Sequence, residues 1–234
     1  MDVYCLPGTM CDHRLWASTQ RAIGTSIKLI HCAIPMENTL DAMVEALANR
    51  LPKEPFDLLG FSMGGYLACA FAIKYPERVQ RLMVLSNTAT GLLESERKQR
   101  EVALNWVSSQ GYRGIPKKKA QAMLGKRHKD NMDLLALIQA MDTTLGEAVL
   151  IQQLTSSLDR PSLLSELEQT HFPICVSVGE EDELMPASAL SHLNHSDRYE
   201  VRVAADCGHM LPIEQPKWLA DVLVQFYSGG CVTR

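Results

Sequence analysis

The chain has 234 residues, a formal net charge of −4 and a hydrophobic fraction of 46%. This length fits one α/β domain with an insertion, or at most two small domains. The small net charge excludes a global electrostatic attraction to nucleic acid or to an anionic membrane surface.

The N-terminal segment "MDVYCLPGTM" has no basic region followed by an apolar run, so it does not resemble a signal peptide. No apolar run approaches the roughly 18–20 residues that cross a bilayer. The seven cysteines are scattered and form no C-x-x-C pair, as is typical of small buried residues in a reducing compartment. These features predict a cytoplasmic protein that binds no metal ion and does not associate with a membrane.

Short β-like runs alternate with helical patterns along most of the chain. The predicted strands are Val3–Leu6, Ile27–His31, Phe56–Leu59, Arg81–Leu85, Ile174–Val178 and Tyr199–Val203. The predicted helices are Asp12–Ala22, Thr39–Arg50, Gly64–Lys74, Pro186–Leu193 and Glu214–Phe226. This alternation predicts an α/β fold, with a mostly or all-parallel sheet of about six strands and helices on both faces. Catalytic residues should then lie at the carboxyl ends of the strands.

The alternation stops between Thr88 and Arg160, where almost the whole sequence is helical in pattern. The predicted helices of this stretch are Leu92–Ser108, Pro116–Leu124, Asn131–Met141 and Leu145–Leu158. We predict that residues 88–160 form a helical cap over the strand ends, and that residues 1–87 and 161–234 form the core. Four helices packed elsewhere on the core are the alternative.

The segment "LLGFSMGGYLACAFA" places Ser62 between two glycines, at the junction of a strand and a helix. G-x-S-x-G in this context is typical of a nucleophile elbow, in which a sharp turn needs small residues at Gly60 and Gly64. The N-terminus of the following helix would direct the N–H of Met63 toward a developing oxyanion. A turn with a purely structural role is the alternative, and the phosphate-binding glycine motifs are absent.

A serine nucleophile needs a base and an orienting acid, which follow it in the order Ser, acid, His on this kind of sheet. "VGEEDELMP" follows one strand and supplies Asp182, and "DCGHMLP" follows the next strand and supplies His209. The alternatives for the acid are Glu180, Glu181, Glu183 and Asp206. The loop after the first strand, "LPGTMCDHRLW", would supply the N–H of Thr9 as a second oxyanion donor.

Together these residues resemble the α/β-hydrolase superfamily, in particular its small esterase and enol-lactonase-like members. The matching segments are "LPGTMCDHRLW", "GFSMGGYLACAFAIKYPERVQRLMVLSN", "DRPSLLSELEQTHFPICVSVGEEDELMP" and "DCGHMLPIEQP". The resemblance implies Ser62 as nucleophile, Asp182 as orienting acid and His209 as base, with backbone oxyanion donors at Thr9 and Met63.

The chain departs from the family's pattern at two places. The β-hairpin that usually precedes the first strand is missing, so we expect about six strands, all parallel. The usual D-x-P-G-x-G-x-S segment is replaced by "HCAIPMENTLD". Neither departure affects the three candidate catalytic residues.

The expected activity is hydrolysis of a carboxylic ester of a small or medium acyl substrate through an acyl-enzyme, with no cofactor. A thioesterase, an enol-lactonase and a C–C hydrolase use the same residues and are alternatives. A hydrolase-like protein that only binds its ligand is the alternative from another class. No feature of the sequence identifies a protein partner.

The predicted cap has more basic than acidic residues, although the chain as a whole is acidic. The basic residues concentrate in two runs, Lys117–Lys119 and Lys126–Lys129. One hypothesis is that they form a basic rim around an apolar pocket and favour an anionic ester or thioester. The alternative is that they are a solvated surface.

Overall fold

A computed structural model describes residues 1–185, 187–194 and 196–229. Its strands are β1 (Asp2–Leu6), β2 (Lys28–His31), β3 (Phe56–Phe61), β4 (Val79–Leu85), β5 (Ile174–Gly179) and β6 (Tyr199–Ala204). They form one sheet in the order β2-β1-β3-β4-β5-β6, and every neighbouring pair is parallel. The predicted α/β fold with about six parallel strands is therefore confirmed.

Ten α-helices are present among the described residues. They are α1 (Ala17–Ile23), α2 (Leu40–Arg50), α3 (Met63–Lys74), α4 (Glu94–Gln110), α5 (Lys117–Ala122), α6 (Met132–Ser156), α7 (Leu164–Glu168), α8 (Ala187–Asn194), α9 (Leu211–Glu214) and α10 (Pro216–Ser228). The predicted start of α8, Pro186, lies outside the described residues. Thr39 caps α2 as its sequence predicts, because its side-chain oxygen accepts the N–H of Ala42 at 3.2 Å.

Outside residues 88–160, two predicted helices differ from the structure, and one helix is additional. The first predicted helix begins as a 3-10 turn at His13–Trp16 before α1. The closing helix is divided into α9 and α10 at Gln215 (φ −127°, ψ 52°), because the following Pro216 disfavours helical geometry at the residue before it. The short helix α7 was not predicted.

The core consists of two apolar layers, one on each face of the sheet. Successive residues of a strand point to opposite faces, so Leu58 and Leu82 pack in one layer while Leu59 and Met83 pack in the other. Helices α2 and α3 cover the first layer, and α1 and α10 cover the second. Burial on both faces explains why the central strand β3 is apolar except at Asp57, which pairs with Arg81 at 2.8 Å.

Helices α4, α5 and α6 lie between β4 and β5, in the segment predicted to form the cap. The division into a core and a cap domain remains a prediction. The two helices expected at Asn131–Met141 and Leu145–Leu158 form the single element α6, which is broken at Gly146 (φ 76°, ψ −177°).

Helix α6 is long and apolar enough to span a bilayer by length and composition alone. It is not an uninterrupted apolar run of the kind sought in the sequence, because it contains Asp133, Asp142 and Glu147 and is broken at Gly146. Its buried residues Leu135, Ile138 and Met141 pack in the core layer on the α1 and α10 face.

Arg78 holds the C-terminal end of α2 in place. Its guanidinium donates hydrogen bonds to the carbonyls of Ala48, Leu51 and Pro52 at 2.6–3.0 Å, and it stacks over the Phe71 ring at 5.1 Å. Only 6% of Arg78 is exposed. The Ala48 carbonyl lies in the last turn of α2, where a helix end leaves carbonyls without helical partners, and Leu51 and Pro52 follow directly after the helix. Arg78 therefore supplies donors to the carbonyls around this helix end.

We expect Arg78→Lys to lower the free energy of unfolding by about 2 kcal/mol, because an ammonium group cannot supply the fork of donors that these carbonyls use. Chemical denaturation measures the change. The exposed Arg21 of α1 offers a matched control, and Arg21→Lys should change stability by less than about 0.5 kcal/mol. Equal effects of the two substitutions would contradict this role for Arg78.

Candidate active site

Ser62 occupies a sharp turn between β3 and α3. Its backbone has φ 51° and ψ −117°, which is strained for a residue with a side chain. Gly60 and Gly64 permit the turn: a Cβ atom on Gly60 would lie 2.3 Å from the Gly64 carbonyl oxygen, and one on Gly64 would lie 2.3 Å from that of Pro7. The spacing of the two glycines is therefore required by close backbone contact.

The three candidate catalytic side chains lie in one hydrogen-bonded row. The Oγ of Ser62 is 3.0 Å from Nε2 of His209, and Nδ1 of His209 is 2.8 Å from Oδ2 of Asp182. His209 and Asp182 are 6% and 8% exposed. With its proton on Nδ1, the imidazole donates to Asp182 and leaves Nε2 free to accept a proton from Ser62.

The four alternative acids have other surroundings. Glu181 accepts the backbone N–H of Lys126 at 2.6 Å, Glu183 lies 3.7 Å from Nζ of Lys129, and Asp206 lies 3.7 Å from Arg127. Glu180 is exposed. Among the described residues, Asp182 alone supplies a carboxylate to His209.

Thr9 and Met63, the candidate oxyanion donors, lie side by side. The hydroxyl of Thr9 is 3.6 Å from the Met63 sulfur. Neither backbone N–H has an acceptor among the described residues. The next residue, Met10, donates its N–H to Oε1 of Gln153 on α6 at 2.9 Å, which fixes the loop after β1 against the cap segment.

Sequence reasoning missed two groups that hold the backbone of His209. Ser86, which follows β4 and has φ 49°, donates its hydroxyl to the His209 carbonyl at 2.8 Å. The carbonyl of Met123 accepts the His209 N–H at 2.9 Å. A serine one residue past a strand is a common pattern, so the sequence carried no specific signal for this contact.

Glu214 is the third residue that sequence reasoning missed, and it is 5% exposed. Its carboxylate accepts the N–H groups of Gly208 and Met210, on either side of His209, at 3.0–3.2 Å. It also accepts the N–H of Gly125 at 2.7 Å. Burial raises the pKa of Glu214, while these backbone hydrogen bonds act in the opposite direction. Glu214 thus connects the His209 loop to the cap segment.

The second basic run of the cap segment contacts the loops that carry Asp182 and His209. Lys126 pairs with Glu181 at 3.6 Å, in addition to the ion pairs of Arg127 and Lys129 described above. The run is therefore paired with acidic residues of the same chain. Lys117–Lys119, in contrast, are exposed.

The sequence matches the family described as alpha/beta hydrolase fold over residues 4–216. The chain therefore belongs to the α/β-hydrolase family, as its motifs predict. It is 28% identical over 186 residues to a Bacillus subtilis (strain 168) protein named as a 2-succinyl-6-hydroxy-2,4-cyclohexadiene-1-carboxylate synthase, covering 74% of this chain and 65% of the relative. Across the first curated relatives that it matches, the chain spans between 46% and 65% of their length.

Two solved structures share the fold. A thermophilic esterase from Thermogutta terrifontis has a TM-score of 0.86 and 22% identity, with 97% of this chain and 89% of that chain covered. The enol-lactonase from Burkholderia xenovorans LB400 has a TM-score of 0.82 and 15% identity, with 97% and 91% covered. At these identities the likeness establishes the fold alone.

We expect Glu214→Gln to lower the free energy of unfolding by about 2 kcal/mol. A carboxamide places an NH₂ group against at least one of the three backbone donors, which then loses its acceptor. Thermal and chemical unfolding measure the loss. Glu54→Gln, an identical change at an exposed loop position, is the control and should be nearly silent. A stability of Glu214→Gln equal to that of the control would contradict the role assigned to Glu214.

Proposed function

We propose that the protein is a serine hydrolase that cleaves a carboxylic ester of a small or medium acyl substrate through an acyl-enzyme. The observation that carries this proposal is the row of Ser62, His209 and Asp182, joined at 3.0 and 2.8 Å. The row begins at a strained turn and ends at a buried carboxylate, which is the arrangement that activates a weak hydroxyl nucleophile.

Acylation begins when Ser62 attacks the ester carbonyl. Nε2 of His209 takes the hydroxyl proton, and Asp182 holds the ring in the required tautomer and stabilises the imidazolium. The N–H groups of Thr9 and Met63 donate to the tetrahedral oxyanion, and each such donor typically lowers the barrier by about 3–4 kcal/mol.

His209 then protonates the alkoxide as the tetrahedral intermediate collapses, so the alcohol leaves from the His209 side. Water repeats the sequence at the acyl-enzyme: His209 takes its proton, and the acid product leaves as Ser62 regains a proton. Each step uses groups of this chain and water.

Other bonds can be cleaved by the same three residues, so a substrate panel is needed to identify the bond. A short-chain p-nitrophenyl ester tests for turnover, and matched thioesters, enol-lactones and vinylogous 1,5-diketones test the alternative bonds. Turnover of one class identifies the reaction. Binding without turnover across the panel would instead identify a ligand-binding protein.

We predict that a fluorophosphonate probe labels Ser62, because the probe reacts with a serine that a neighbouring base activates. Ser62→Ala should abolish labelling and lower ester turnover by several orders of magnitude. Mass spectrometry of the labelled peptide and a p-nitrophenyl ester assay measure the two effects. The exposed Ser109 supplies the control, and Ser109→Ala should retain both activities. Substantial turnover in Ser62→Ala would show that another residue is the nucleophile.

Asp182→Asn should keep the fold and lower kcat by about 10³–10⁴, because an amide stabilises the wrong imidazole tautomer. Steady-state kinetics measure kcat, and circular dichroism checks the fold. Glu183→Gln and Asp206→Asn alter two of the alternative acids and should remain close to wild type. An active Asp182→Asn together with a crippled variant at one of these positions would move the acid to that residue.

A further inference from the structure

Two arginines of the cap segment, Arg100 and Arg160, lack the carboxylate partners that Arg81 and Arg97 have. Arg81 pairs with Asp57, and Arg97 pairs with Asp159. Arg100 of α4 instead donates to the hydroxyl of Ser157 at 2.7 Å. Arg160 follows α6, and its Nε is buried without an acceptor among the described residues.

The surroundings of these two guanidinium groups favour an added negative charge. Burial and then the charge of Arg160 lower the pKa of Arg100 to about 10, and burial lowers that of Arg160. Glu96 is the neighbouring carboxylate, but it forms no ion pair with either group, and its Oε2 accepts the Leu93 N–H at 3.3 Å. The charge of Glu96 acts against these shifts and raises both pKa values. Among the described residues no carboxylate makes a short ion pair with either guanidinium, so a bound anion would supply the direct partner that both lack.

Arg160 is connected to the nucleophile through α3. Its guanidinium lies 5.4 Å from the centre of the Tyr66 ring, and the Tyr66 hydroxyl donates to the Pro161 carbonyl at 2.8 Å. Tyr66 is one helical turn after Ser62, since its N–H donates to the Ser62 carbonyl at 3.2 Å. Arg160 therefore lies beside the turn of helix that begins at the nucleophile.

Arg100 is connected through α6 to the loop after β1 that carries Thr9 and Met10, called the oxyanion loop. Ser157 donates onward to the Gln153 carbonyl at 2.8 Å, and Oε1 of Gln153 accepts the Met10 N–H at 2.9 Å. Arg100 also shares a face of α4 with Val107, seven residues later, which packs against Met10. The contacts of both arginines thus lead to the elements that carry Ser62 and to the oxyanion loop, and among the described residues none of these contacts involves the His209 loop.

We propose that Arg100 and Arg160 form a carboxylate-binding subsite for the acyl part of the substrate. This inference rests on the proposed ester hydrolysis. The alcohol must leave on the side of His209, which protonates it, so a group held on the opposite side belongs to the acyl chain. The preferred substrates are monoesters of dicarboxylic acids, whose free carboxylate pairs with the two guanidinium forks.

The test compares monomethyl succinate, glutarate and adipate with methyl butanoate, pentanoate and hexanoate. At the best chain length, kcat/KM for the acid ester should exceed that of its neutral match at least tenfold. Arg100→Gln and Arg160→Gln should each lower this ratio at least tenfold, and Arg160→Lys should restore part of it. The loss in kcat/KM for the acid ester should come from a higher KM and not from a lower kcat, because the two arginines bind the substrate.

Arg113→Gln changes an exposed cap arginine and is the matched control, so it should leave the ratio unchanged. The triple variant Lys117→Gln, Lys118→Gln, Lys119→Gln tests the basic rim. The proposal is overturned if acid and neutral esters react equally, or if the arginine variants leave the ratio intact. It is also overturned if the lysine variant lowers the ratio in their place.

A binding measurement separates failure of this inference from failure of the proposed function. Calorimetry with Ser62→Ala measures the affinity for monomethyl adipate without turnover. The affinity should exceed that for methyl hexanoate at least tenfold, and it should fall at least tenfold when Arg100→Gln or Arg160→Gln is added. Equal affinities would overturn the subsite, whether or not the wild-type protein hydrolyses any ester.

Discussion

The site depends on the backbone contact at the end of β3. A Cβ atom on Gly60 would clash with the Gly64 carbonyl oxygen, and a Cβ atom on Gly64 would clash with the carbonyl oxygens of Leu6 and Pro7. This contact holds Ser62 at φ 51°, and the Ser62 N–H is anchored by the Leu85 carbonyl of the neighbouring strand at 2.8 Å. The strained turn directly follows the fully buried strand β3, so the surrounding structure can maintain the strain.

The remaining site residues are positioned by the same sheet edge. Because all strands are parallel, the loops after β1, β3, β5 and β6 meet at their carboxyl ends. Thr9, Ser62, Asp182 and His209 come from these four loops and are separated widely in sequence. The register of the sheet therefore assembles a site that no local segment could form.

The cap segment is joined to the His209 loop by interactions that are short and directional. Met123 and Gly125 bond to the backbone of residues 208–210 directly or through Glu214. The surface ion pairs of Lys126, Arg127 and Lys129 surround this contact and add little free energy individually. The basic residues of the cap segment thus differ in their surroundings: Lys126, Arg127 and Lys129 pair with acidic residues, whereas Arg100 and Arg160 have no carboxylate partner among the described residues.

The sequence by itself determined the parallel sheet, the elbow at Ser62 and the order of Ser62, Asp182 and His209, because hydrophobic periodicity and the glycine spacing are local patterns. It left Asp182 among five candidate acids, and it gave no sign of Ser86 or Glu214. Only the tertiary structure shows the contacts of these residues, since which carboxylate reaches His209 depends on how two separate loops approach each other. Pro216 is a local signal for the break between α9 and α10. The ion pairs of Lys126, Arg127 and Lys129, and the lack of carboxylate partners at Arg100 and Arg160, depend on long-range contacts that a charge count cannot distinguish.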